Sequence, residues 1–147
     1  MSVRNLLLVV ALLVVASAFG WWWRAREGRT VAVTGRDGAL GADLLGTAPG
    51  ARVTFVQMSS TVCAPCRSTA TVLGRIADDE PGVVHVELDV AEHLDLARRL
   101  DVLRTPTTLV LDPGGRLVAT LNGALTRPRA LAALAELAPT AAGTSTH

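Results

Sequence analysis

The sequence predicts an α/β domain, a mixed central sheet with helices on both faces, preceded by one N-terminal transmembrane helix. Three observations carry this expectation. An uncharged apolar run of 18 residues, Leu6 to Trp23, opens the chain. Beyond it, apolar segments follow the order strand, helix, strand, helix, hairpin, helix. The first strand-helix-strand unit predicts parallel strands with a right-handed crossover. The hairpin, turning at Asp112-Pro113-Gly114-Gly115, adds antiparallel ones, so the sheet is mixed and must be covered on both sides.

As a helix, the opening run spans about 27 Å, enough to cross a bilayer. Trp21, Trp22 and Trp23 follow it, and Arg24 and Arg26 lie just beyond. Amphipathic Trp rings suit the headgroup level, so residues 1–27 read as a retained membrane anchor. The rival reading is a cleaved signal peptide, with Arg4 as its basic start and Ala16-Ser17-Ala18 as a small-x-small cleavage pattern. Cleavage there would leave Phe19 and three Trp at a solvated terminus, which favours the single-pass anchor. Arg24, Arg26 and Arg29 outweigh Arg4 and the α-amino group, and the positive-inside bias then leans the domain to the cytoplasmic face. The export-like n-region leaves the extracytoplasmic face open.

Residues 28–50 are rich in Gly and weakly patterned, and read as a tether with one short strand at "TVAV". The folded domain is expected over 51–138. "RVTFVQM" is a β-branched apolar strand, and after it Ala70, Leu73, Ile76 and Ala77 recur at helical spacing until Pro81-Gly82. "VVHVELDV" alternates as a strand, and "AEHLDLARRL" is helical with Leu94, Ala97 and Leu100 on one face. "TTLVLDPGGRLVATL" is the hairpin. Thr126 caps the last helix, Pro128 sits in its first turn where no N–H is needed, and Leu131, Leu134, Ala135 and Ala138 form its buried stripe. Residues 139–147 read as a disordered tail.

A net charge of +1 with Arg scattered along the chain excludes a nucleic-acid footprint. Two cysteines cannot staple a scaffold, and a dithiol is possible on either side of a membrane. With Phe55 the one aromatic beyond the Trp cluster, the core must be aliphatic.

Cys63 and Cys66, separated by Ala64 and Pro65, stand where a strand gives way to a helix. Helix-start N–H groups and the positive dipole end favour a thiolate there, and can lower a cysteine pKa from about 8.5 to between about 3.5 and 7.5. A second sulfur one turn on can attack a mixed disulfide formed at the first. Cys63 is then the nucleophile and Cys66 the resolving thiol. Pro65 is tolerated in a first turn and stiffens it. A zinc site would need further ligands, and His85, His93 and His147 are spaced too widely for the usual pair, so no metal is expected. Two inert buried thiols remain a third reading, against which their place at the strand-helix junction argues.

These residues resemble the thioredoxin superfamily. "VTFVQMSSTVCAPCR" is similar to the family's strand leading into W-C-G-P-C-K, "VELDV" to the strand after the crossover, "RTPTTLVLDPGGRLV" to its cis-proline segment and closing hairpin, and "NGAL" to its final glycine corner. The resemblance covers about residues 51–138. It implies a thioredoxin-like fold and a thiol:disulfide oxidoreductase that needs no cofactor beyond a redox-active Cys63–Cys66 disulfide. Protein disulfides would be its substrates, an unidentified thiol its electron donor, and a monomer its working form. It further implies that Pro106 is cis and exposes the Thr105 backbone to an extended substrate beside Cys63, with Gly123, Val62, Ala64 and Pro65 around the same groove. The alternative for Thr105-Pro106 is an ordinary trans turn.

The sequence departs from the family at two places. Val62 replaces the usual Trp before the first cysteine, and Gln57 stands where the family carries a buried Asp that helps deprotonate the resolving thiol. A Gln cannot act as a base, but His85 falls near the family's buried Lys, so Gln57 and His85 form a candidate proton relay. A half-exposed strand histidine is the plainer reading of His85. Two other functions remain compatible: a non-catalytic thioredoxin-fold module at the membrane, and a dedicated reductant of one partner such as an apocytochrome or peroxidase.

Overall fold

A computed structural model of the chain describes residues 3–26, 30–32 and 39–141. The elements run α1 (Val3–Arg26), β1 (Thr30–Ala32), α2 (Ala42–Leu45), β2 (Val53–Ser59), α3 (Ala64–Asp79), β3 (Val83–Asp89), α4 (Leu94–Arg99), β4 (Thr107–Leu111), β5 (Leu117–Asn122) and α5 (Arg127–Ala141). One mixed sheet has the order β1-β5-β4-β2-β3. Among the described residues only β2 and β3 run parallel, as the crossover through α3 requires, and the remaining pairs are antiparallel. Helices cover both faces, as the sequence predicts.

Side-chain alternation sorts the core into two layers. Val53 and Phe55 of β2 point with Val110, Ala119 and Leu121 against Leu73 and Ile76 of α3 and Ala130, Ala133 and Leu134 of α5. Val56 and Met58 point the other way, with Leu88 and Leu109, against Leu96, Ala97 and Leu100 around α4. Every residue of β2 is buried, because it is flanked by strands and has helices on both faces.

Three expectations need correcting. Leu40 and Leu45, placed in the tether by the sequence, are buried in the second layer, and Leu40 N–H donates to Gly115 O at 2.8 Å. Gly115 has φ +77, and a Cβ there would come within 2.6 Å of Leu40 O, so this close approach requires glycine. The faces of two helices are also displaced. Leu94 is exposed while Leu96 is buried, and α5 buries Ala133 in place of Ala135. Lastly, α5 continues to Ala141, past the expected end of the domain. The expected tail lies outside the described residues from 142 onward, as does most of the stretch from 27 to 38.

Helix α1 includes a 20-residue apolar segment, Val3–Trp22, with mean hydropathy 2.2 and none of it buried in the rest of the chain. By length and composition it is a candidate membrane span or signal sequence.

Candidate functional site

Four loops meet at one edge of the sheet. The register pairs Ser59 with Asp89, Met58 with Thr107 and Thr107 with Asn122, so the ends of β2, β3 and β5 and the start of β4 form one row. The segments after β2 and β5 and before β4 therefore bring Cys63, Pro106 and Gly123 to the same edge.

Cys63 is the N-cap of α3, with Pro65 in the first turn. Its Sγ accepts from Cys66 N–H at 3.2 Å, so one of the helix's orphan donors is aimed at this sulfur. The two cysteines form a disulfide with Cα atoms 5.3 Å apart. Cys63 is half-buried, whereas Cys66 is 1% exposed. The first sulfur is therefore the more accessible of the two, and the second is sealed behind it. Val62 is 92% exposed immediately before the pair.

The Thr105–Pro106 peptide is cis. Its loop is clipped to the glycine corner: Gly123 N–H donates to Pro106 O at 2.9 Å, and Thr107 Oγ1 donates to Arg104 O at 2.8 Å with Asn122 Oδ1 at 3.2 Å. Gly123 has φ +81, a conformation that disfavours any side chain. Thr69 was missed by the sequence reading. It is buried on α3, and its Oγ1 accepts from Leu125 N–H at 3.1 Å, tying the glycine corner to the dithiol helix. A Thr inside an apolar helical stripe carries no pattern that would single it out.

Gln57 and His85 are brought together beneath α3. Gln57 is fully buried, and its Nε2 donates to Cys66 O at 2.9 Å. Its Oε1 then faces His85 Nε2 at 3.3 Å, which places the ring proton on Nε2 in the neutral tautomer. Gln57 thus touches the backbone of Cys66. Burial lowers the His85 pKa from its ordinary value of 6.5, and Glu87 on the same strand acts weakly in the opposite sense. Thr108 is the register partner of Gln57 on β4, and its buried Oγ1 has no hydrogen-bond partner among the described residues. Among the described residues no three His, Cys, Asp or Glu side chains gather as a metal-ligating group, and His147 lies outside them.

The family model for thioredoxin matches residues 48–136. Similar proteins include a thioredoxin H-type of Oryza sativa subsp. indica, 29% identical over 61% of this chain and 73% of the relative. Another is a bifunctional thioredoxin reductase/thioredoxin of Mycobacterium leprae, 33% identical over 76% of this chain. The chain spans only 23% of that larger protein. The X-ray structure of Fasciola hepatica thioredoxin superposes with a TM-score of 0.54 at 22% identity, covering 60% of this chain and 84% of that one, which shows the shared fold.

The His85 environment makes a stability prediction. Because its folded pKa lies below 6.5, the unfolded chain takes up a proton more readily, and stability is lost as pH falls through the range below about 6.5. His85→Gln removes that titration and should flatten the acid-side decline by less than about 1 kcal/mol, the ring's remaining solvent contact limiting the effect. Urea midpoints of both chains between neutral and mildly acidic pH provide the check; identical declines would contradict it.

Proposed function

Because the chain belongs to the thioredoxin family and is a thiol–disulfide oxidoreductase, we propose that it exchanges disulfides with protein substrates at a membrane surface, held there by α1 as a retained anchor. The observation that carries the reading is the asymmetry of the pair: a partly exposed Cys63 at a helix N-cap and a buried Cys66 one turn inside. In the reducing direction the Cys63 thiolate attacks one sulfur of a substrate disulfide. That bond breaks, a mixed disulfide forms, and the first substrate sulfur leaves and takes a proton. Cys66, deprotonated, then attacks Cys63 Sγ; the mixed disulfide breaks, the second substrate thiol leaves, and the Cys63–Cys66 bond closes. Two electrons pass to the substrate, and a thiol donor restores the pair.

An extended substrate segment would lie between Val62 and the Thr105–Pro106 loop, pairing with the Thr105 backbone, with Ala64, Pro65 and Gly123 beside it. The basic residues after the anchor, Arg24, Arg26 and Arg29, favour the cytoplasmic face. An uncharged span closed by a Trp cluster supports retention of α1 over cleavage.

Cys66→Ser should accumulate mixed disulfides with protein partners, resolved on non-reducing gels, because attack proceeds and release does not. Cys63→Ser should accumulate none. Equal trapping by both variants would remove the assigned roles.

For the second step Cys66 must lose its proton, and Gln57 offers no base. With Nε2 holding the proton that Gln57 Oε1 accepts, Nδ1 is the basic nitrogen of His85, and His85 takes the Cys66 proton there by way of solvent. His85→Ala should slow release several-fold and shift its pH profile, and Gln57→Asp should speed it near neutrality. Release followed by stopped-flow from a pre-formed mixed disulfide measures this step alone; unchanged rates and profiles in both variants would exclude the relay.

A further inference from the structure

The anchor joins the domain at the edge that carries the dithiol. Strand β1 runs antiparallel to β5 with Thr30 beside Leu121 and Ala32 beside Ala119. The chain therefore enters the sheet at the end of β5 that leads into Asn122 and Gly123, and leaves β1 toward the opposite edge, where Leu40 meets Gly115. Between the last residue of α1, Arg26, and the first of β1, Thr30, stand three residues. Four backbone steps span at most about 14 Å even when fully extended. Across the sheet, β1 and β2 are three strand spacings apart, also about 14 Å.

With α1 as the membrane anchor of the reading above, we infer that the dithiol edge faces the bilayer at close range, and that the preferred partner is an integral membrane protein whose disulfide or thiol pair lies just outside the bilayer surface. A soluble folded protein would have to enter the narrow space between this edge and the lipid. A membrane-embedded partner already presents its sulfurs there. Two apolar side chains at the same edge, Val62 at 92% exposure and Leu103 at 83%, suit an apolar partner more than open water. The inference holds on either face of the membrane, because it follows from the join between anchor and sheet.

The test uses the full chain in lipid nanodiscs carrying nitroxide headgroups. In a Cys63→Ser/Cys66→Ser background, one fluorophore is attached through Leu103→Cys at the dithiol edge, or through Pro113→Cys at the opposite hairpin, both exposed positions. Quenching should be several-fold stronger at position 103 than at 113, because the strands between them add about 20 Å of height. Equal quenching, or stronger quenching at 113, overturns the orientation while leaving the anchor intact. Failure of the chain to associate with lipid at all would instead remove the anchor reading and this inference with it.

A second arm tests the partner. A flexible linker of about 20 residues inserted after Gly28 adds about 25 Å of mean reach to the otherwise native chain. It should speed reduction of soluble insulin several-fold in nanodiscs and leave reduction of a small organic disulfide unchanged. No gain toward insulin would overturn the preference for a membrane partner.

Discussion

The structure depends on how β2 hands over to α3. Only four residues, Ser60 to Cys63, separate the last residue of β2 from the first of α3, so the chain must turn from a fully buried strand into a helix at the sheet edge. That turn leaves the first N–H groups of α3 without carbonyls of their own, and the N-cap sulfur of Cys63 receives one of them. An anion on this sulfur is therefore stabilised by geometry that the fold needs in any case. The same helix period carries Cys66 to the inner side, where it is sealed from solvent. The proposed order of attack rests on this difference in burial, set by where the helix begins.

The remaining site residues keep that helix end in register with its surroundings. From below, Gln57 reaches the Cys66 carbonyl, and from the side Thr69 receives Leu125 N–H. Gly123 donates to Pro106 O, so the two loops flanking the dithiol are joined directly. These are polar bonds in an aliphatic surrounding, and each would be costly to leave half-made. An amide at position 57 suits this positioning, since it both donates and accepts. It leaves His85, with its lowered pKa, as the titratable group of the pocket.

Much of this was legible in the sequence where period and punctuation agree. The β-branched, mostly apolar β2, the alternating β3 and the Asp-Pro-Gly-Gly hairpin each announce themselves, and two cysteines at a strand-helix junction stand out in a chain that has no others. Helix faces were less legible. In a short helix such as α4, Leu94 and Leu96 compete for the inward face, and only the packing against β4 and the preceding layer chooses Leu96. Leu40 and Leu45 were hidden by their glycine-rich surroundings, because isolated leucines between glycines carry no period. The antiparallel seat of β1 on β5 was out of reach for a different reason: strand partners across some 90 residues are set by the fold, and no local pattern records them. Gln57 beside His85 was implied by the family resemblance, whereas its bond to Cys66 O depends on how α3 packs over the sheet.

The central claim is that helix geometry separates the two sulfurs into a partly exposed attacking thiol and a sealed resolving one. The most direct measurement is the rate of alkylation of each cysteine in the reduced full chain at neutral pH, resolved by mass spectrometry of the peptides. Cys63 should be modified first and many times faster, with Cys66 modified only after the fold is opened by denaturant. Equal rates, or earlier modification of Cys66, would contradict the account.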